Sequence, residues 1–279
     1  MDDVAGTQQA GMIGVFSRAA PTYDRIGPRV FAHFGQRLVD LAQVAPGAHV
    51  LDVAAGRGAV LFPAATRVGP RGRVMGIDLS ADMVRETAAD IQGAGWHHAE
   101  IQQMDADQLH VPDAAFDMVL CGFALWLFPR PHQTLTELCR VLKPGGRLGL
   151  TTWAEDSPFH TWCRHILRPY ALPEASQTAA GQEAPRFDTP MQLATALRQA
   201  GFAVPQIIVE DEDFVYTDAD EWWASLWSHG LRGQLEKLAA PVLAQAKTEL
   251  CQQVQVFKQT DGIHIRSRAL FALSTKPKD

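Results

Sequence analysis

The sequence predicts a doubly wound α/β fold, a parallel sheet with helices on both faces. Two observations predict it. Between residues 49 and 153, short apolar runs alternate with stretches of helical periodicity, the pattern of successive βαβ units. Directly after the first apolar run comes a stretch of small residues, Ala54-Ala55-Gly56-Arg57-Gly58-Ala59, where a strand should turn into a helix.

The elements follow in order. Residues 1–12 read as a loose tail. Phe31, Phe34, Leu38 and Leu41 recur at spacings of three and four, one apolar helix face, and Pro46-Gly47 ends that segment. His49 to Val53 is a buried-strand run. Arg73 to Asp78 is the second strand, and Ser80 caps a helix whose apolar positions are Val84, Ala88 and Ile91. Residues 99–103 form a weaker third strand and Phe116 to Cys121 a fourth. Pro131 opens a helix with Leu135, Leu138 and Leu142 on one face. Lys143-Pro144-Gly145-Gly146 stops it, and Arg147 to Trp153 is the fifth strand. Beyond that point the alternation loosens. Residues 154–188, rich in Pro, Gln, Ala and Ser, read as a lid or irregular insertion. Met191 to Ala200 is a helix ended by Gly201, 204–216 is extended, and 218–259 is helical with Pro241 as a break. Asp261-Gly262 turns into a last strand, Ile263 to Leu273.

Composition narrows the function. The 279 residues carry a net charge of −6, which argues against a nucleic-acid substrate, since such proteins present a basic face. No apolar run reaches the roughly 18 residues of a membrane span, and Met1-Asp2-Asp3 is unlike the basic start of a signal peptide. Cys121, Cys139, Cys163 and Cys251 are scattered and form no metal-ligand spacing. These readings give the expectation of a cytoplasmic protein with reduced thiols and no metal.

Four segments carry the chemistry. The small residues after Val53 let backbone approach a ligand closely, and glycine adopts the positive φ of a tight turn. Small residues after a strand are also ordinary turn chemistry. Asp78 ends the second strand 22 positions after Gly56, where a carboxylate can accept hydrogen bonds from ribose hydroxyls. Met104-Asp105-Ala106-Asp107 follows the third strand. An Asp there can accept from an adenine amino group, and the alternative is a surface loop with two solvated acids. Phe116 to Trp126 brings the tip of the fourth strand to the crevice where open α/β sheets bind ligands.

The order of these segments resembles the class I S-adenosylmethionine-dependent methyltransferases. Arg140-Val141-Leu142-Lys143-Pro144-Gly145-Gly146-Arg147-Leu148 is the most specific match, and the resemblance spans roughly residues 15–155 and the final strand. It implies a Rossmann-like sheet, mostly parallel with an antiparallel last strand, and helical lid insertions. It implies that Asp52, Ala54, Gly56 and Gly58 hold the amino-acid end of S-adenosyl-L-methionine. Asp78 would hold its ribose and Asp105 its adenine, with Leu79, Met83, Ala106, Cys121 and Trp126 completing the site. S-adenosyl-L-homocysteine would be the product. More narrowly, Phe16-Ser17-Arg18-Ala19-Ala20-Pro21-Thr22-Tyr23-Asp24 resembles the start of the ubiquinone/menaquinone C-methyltransferase group and its secondary-metabolite relatives, where the Tyr helps cover the cofactor. The chain departs from the quinone enzymes at Thr151-Thr152-Trp153, in place of an acid and a Ser, and at Ala124-Leu125-Trp126, in place of Arg-Asn. Ala54 stands where the first loop glycine is usual.

The expected organisation is an N-terminal helical segment, 1–45, covering the cofactor. A core at 46–217 includes the lid 154–188. A helical substrate roof occupies 218–259, and the last core strand 260–279. The expected reaction is methyl transfer to a small hydrophobic or aromatic metabolite, at carbon or oxygen, with no nucleic-acid or membrane partner and homodimer formation left open. A phenol, hydroxyl or activated carbon acceptor calls for a base. His160 is the first candidate, its ordinary pKa lying near 6.5, with Tyr23 beside it. Trp126, Trp153, His160, Trp223 and Trp227 are the expected substrate contacts. Trp222, Trp223 and Trp227 equally fit an apolar helix packed on the sheet. Three rivals stand beside this reading: a nicotinamide-dependent oxidoreductase, a non-catalytic binding or scaffold relative, and an RNA or protein methyltransferase. The loop lacks a clean G-x-G-x-x-G, which counts against the first. The acidic balance counts against the last.

Overall fold

A computed structural model describes Asp2–Tyr170 and Arg186–Lys278, with the side chains of all but residues 2–8, 160, 164, 167 and 168. The chain opens in a helix, α1 (Asp2–Ala19), where the sequence suggested a loose tail through residue 12. Packing supports this helix more than its polar start would. Val15 lies against Gly233, where an added Cβ would stand 2.8 Å from its side chain. Arg18 forks onto the Glu236 carboxylate, and Arg232 donates to the Arg18 carbonyl at 3.0 Å.

The α/β alternation follows as the sequence predicts: α2 (Val30–Leu41), β1 (His49–Val53), α3 (Leu61–Val68), β2 (Arg73–Asp78), α4 (Ala81–Gly93), β3 (Ala99–Gln103), β4 (Phe116–Gly122), α5 (Pro131–Val141) and β5 (Leu142–Trp153). Ser80 caps α4, its hydroxyl accepting from the Met83 N–H at 3.3 Å. The buried face of that helix is Met83, Thr87 and Ile91, rather than the face through Val84 and Ala88. A helix, α6 (Pro158–Leu167), occupies part of the expected irregular insertion, and residues 171–185 of that insertion lie outside the described residues. Then come α7 (Pro190–Gln199), β6 (Gln206–Tyr216), α8 (Ala219–Leu226), α9 (Arg232–Leu235), α10 (Ala240–Gln253), β7 (Lys258–Gln259) and β8 (Gly262–Thr275). Pro241 opens α10 from its first turn instead of breaking a longer helix.

Among the described residues the strand order is β3-β2-β1-β4-β5-β8-β6, with β7 paired to β8. Strands β1 to β5 pair in parallel, and β8 runs antiparallel to β5. The order reverses between β1 and β4. In an open parallel sheet the crevice beyond the carboxyl ends of such neighbours is the ligand site. The Leu142–Arg147 stretch is a bulge within β5 rather than a turn before it. Phe116 faces Leu142 and Met118 faces Arg147, so β5 spends five residues' advance where β4 spends two. Gly145, at φ 76°, makes the bend, and the C-terminal tail satisfies it: the Gly145 N–H donates to the Lys276 carbonyl and the Lys276 N–H to the Gly146 carbonyl.

The chain forms two compact units. One comprises Phe31–Ala154, Arg186–Glu210 and Ala269–Asp279, and holds β1 to β5 with α2 to α5 and α7. Leu51, Val53, Val119, Leu148 and Leu150 of its sheet pack with Leu135 and Leu138 of α5 and Leu193 and Leu197 of α7. Gly35 lets α2 approach the loop after β1, for a Cβ there would stand 2.1 Å from the Ala59 carbonyl oxygen. The other unit comprises Met1–Val30, Glu155–Pro185 and Asp211–Arg268, and holds α1, α6 and α8 to α10.

Candidate active site

The loop after β1 is a tight curl. Ala54, Gly56 and Gly58 all take positive φ, at 55°, 51° and 79°. Its two glycines serve different ends. At Gly58 a Cβ would stand 2.4 Å from the Phe62 ring, so glycine there is a packing requirement. At Gly56 a Cβ would meet nothing within 4 Å. That side of the loop is open.

Two carboxyl groups flank the curl. Asp78 closes β2, and its oxygens accept from the Gly56 N–H at 2.8 Å and the Ser80 N–H at 2.9 Å. Burial raises its pKa, and the N–H groups of Ser80, Gly56 and Leu79 oppose that rise. A carboxylate has about four acceptor sites, so capacity for ligand hydroxyls remains. Asp52, on β1, is 1 % exposed, and neither oxygen completes a hydrogen bond of ordinary geometry. Burial first, and the Asp78 charge second, hold its pKa well above the ordinary carboxylate range. The Leu61 N–H partly opposes the rise that burial causes. A buried polar group without a partner is rare in native proteins and calls for an explanation. Burial, then Asp52, pushes the Cys121 thiol up, so it stays protonated.

Beyond β3, Asp105 accepts from the Asp107 N–H at 2.9 Å. Asp107 is not a solvated acid. It is 2 % exposed and binds Arg130 at 3.1 Å and the Thr134 hydroxyl, tying this loop to the start of α5. Ala106 and Met83 are buried, and Leu79 is half-buried. At the tip of β4, Phe123 is left-handed (φ 54°) and lies 4.1 Å, ring to ring, from Trp153 at the end of β5. Phe31 and Phe34 of α2 flank both rings, and Trp126 meets Phe123 edge-on at 6.3 Å. Trp126 and Trp153, two of the expected substrate contacts, are thus joined through Phe123.

The remaining expected contacts belong to the other unit. Trp223 and Trp227 meet at 6.4 Å on and just past α8, and Tyr23 lies 6.1 Å from Phe16. His160 falls on α6, and its side chain lies outside the described residues.

A methyltransferase-domain family model matches residues 50–146. A nocamycin O-methyltransferase from Saccharothrix syringae is 36 % identical over 246 residues, 85 % of this chain and 88 % of that protein. The chain belongs to the S-adenosylmethionine-dependent methyltransferases. A demethylmenaquinone methyltransferase from Listeria monocytogenes serotype 4b is 29 % identical over 72 % of this chain and 91 % of its own. A Bacillus halodurans C-125 protein assigned to the methyltransferases shares the fold, with a TM-score of 0.60, 23 % identity, and coverage of 87 % of this chain and 98 % of its own. The oxidoreductase alternative is thereby set aside.

The residues of this methyltransferase fit its family's cofactor. S-adenosylmethionine carries an ammonium and a sulfonium, and the unpartnered Asp52 carboxyl beside Asp78 is a place where positive charge is wanted. The open backbone side at Gly56 suits close approach.

Sequence reasoning missed several groups here. Arg57 lies inside the curl's sequence yet turns inward to Asp90 at 2.6 Å, and Thr87 donates to the Gly56 carbonyl at 2.7 Å. A basic residue between two loop glycines and acids one helix later was the available signal. The Thr151 and Thr152 hydroxyls are buried without partners, which no sequence pattern foretells.

Proposed function

We propose that the protein binds S-adenosyl-L-methionine and transfers its methyl group to a small hydrophobic or aromatic metabolite. The carrying observation is the unpartnered Asp52 carboxyl beside the left-handed loop Ala54–Gly58. Asp52, Ala54, Gly56 and Gly58 hold the amino-acid end, Asp78 accepts from the ribose hydroxyls, and Asp105 meets the adenine. Leu79, Met83, Ala106, Cys121 and Trp126 border the same group. When bound, the cofactor supplies a methyl group already activated on a positively charged sulfur.

The protein's part is to position and to keep water out. Holding two reacting atoms about 3–3.5 Å apart supplies much of the rate of such a displacement. Trp126 and Trp153 offer apolar aromatic surface to the acceptor, and Trp223 and Trp227 are further acceptor contacts. His160 takes the acceptor proton, with Tyr23 covering the cofactor and assisting. Oxygen is the favoured acceptor atom, because the 36 % identical relative is named an O-methyltransferase.

The test is a transfer assay with methyl-labelled S-adenosylmethionine against a panel of phenols, enols and hydroxylated polycyclic acids. Label appearing as a methyl ether on one class supports the reading. No transfer to any acceptor by a protein that binds the cofactor would replace it with a non-catalytic, cofactor-binding role.

A further inference from the structure

Gly56 is held on both sides of its peptide units by side chains. Its N–H donates to Asp78 at 2.8 Å, and its carbonyl accepts the Thr87 hydroxyl at 2.7 Å. The next residue, Arg57, is drawn inward with a side chain only 4 % exposed. Its guanidinium lies 2.6 Å from the Asp90 carboxylate and 3.6 Å from that of Glu86. Glu86, Thr87 and Asp90 share α4, where Asp90 stands three positions from Thr87 and four from Glu86, spacings that bring side chains together on a helix surface.

Thr87 is fully buried, and Arg57 is committed to two acids. Neither is offered to a ligand, yet both fasten the residue that is. The curl they fasten is unfavourable in itself, for Ala54 sits at positive φ, which L-residues avoid. A loop left to relax would populate its ligand-ready shape only part of the time. The apparent dissociation constant rises in inverse proportion to that fraction.

We infer that Thr87 and the Arg57–Asp90 pair are positioning residues, which hold the Gly56 curl in its ligand-ready shape and so set the affinity for S-adenosylmethionine. This rests on the cofactor reading above. A purely structural role would lower thermal stability and leave the affinity of the folded protein unchanged.

The test titrates S-adenosylhomocysteine calorimetrically into the full-length wild type, Thr87→Val, Thr87→Ser and Asp90→Asn, with the ligand-free melting temperature of each. Thr87→Val keeps the shape and removes the hydroxyl. It should weaken binding about three- to tenfold, the range of one net hydrogen bond. Thr87→Ser should restore wild-type affinity, and Asp90→Asn should weaken it in the same direction. If Thr87→Val does not fold, Asp90→Asn decides. Wild-type binding with undiminished affinity in folded Thr87→Val and Asp90→Asn would overturn the inference. Absence of binding by the wild type would overturn the cofactor reading, and this inference with it.

Discussion

The backbone N–H of Gly56 donates to the Asp78 carboxylate at 2.8 Å, joining the loop after β1 to the end of β2. One carboxylate therefore both shapes the curl and, in the proposed reading, accepts from the cofactor ribose. Removing it should cost on both counts. Asp78→Ala is expected to weaken S-adenosylhomocysteine binding about ten- to a hundredfold, the worth of one charged hydrogen bond. Calorimetric titration of the folded variant checks it.

Asp52 predicts a trade between stability and binding. Its folded pKa is raised above the ordinary 3.8 by burial and by Asp78. The stability that its protonated form contributes is fully present below that ordinary value. It is lost as pH rises through the raised one, because the unfolded chain then releases a proton that the folded chain retains. Asp52→Asn carries no such charge. Its melting temperature should exceed that of the ligand-free wild type by a margin that grows from acidic to neutral pH, while its affinity for S-adenosylmethionine falls. Melting curves across that range check the first part, and titration checks the second.

The two loop glycines should respond differently to alanine. Gly56→Ala meets open space and bears only the backbone cost of positive φ, about 1–2 kcal/mol. Gly58→Ala bears that cost and a clash with the Phe62 ring. Urea unfolding should show Gly58→Ala as the less stable variant, and Phe62→Leu should recover part of its loss. Equal losses would contradict the packing role of Gly58.

Turnover and cofactor affinity should separate at the acceptor side. His160→Ala is expected to reduce methyl transfer far more than S-adenosylhomocysteine binding. A His160→Ala enzyme with full turnover would remove that residue from the reaction.

The sheet was legible because its signals are local. Apolar runs such as Val50–Val53 and Val119–Cys121 lie between helices with strong periodicity, and Ser80 and Pro131 mark helix starts by chemistry that needs no tertiary partner. Asp52, Gly56 and Asp78 were legible because loop geometry and strand ends constrain them. What escaped depends on contacts distant in sequence. α1 is held by Glu236 and Arg232, more than 200 residues away. Asp107 looked like a surface acid until Arg130 and Thr134 folded over it. Lys143–Gly146 looked like a turn because its bends are local, whereas its strand partners include the C-terminal tail.

The most direct test of the central claim is equilibrium titration of the purified, folded protein with S-adenosylmethionine and S-adenosylhomocysteine. The site built from Asp52, the Ala54–Gly58 loop and Asp78 predicts saturable binding of both, one molecule per chain, at micromolar affinity. A folded protein that binds neither would contradict it.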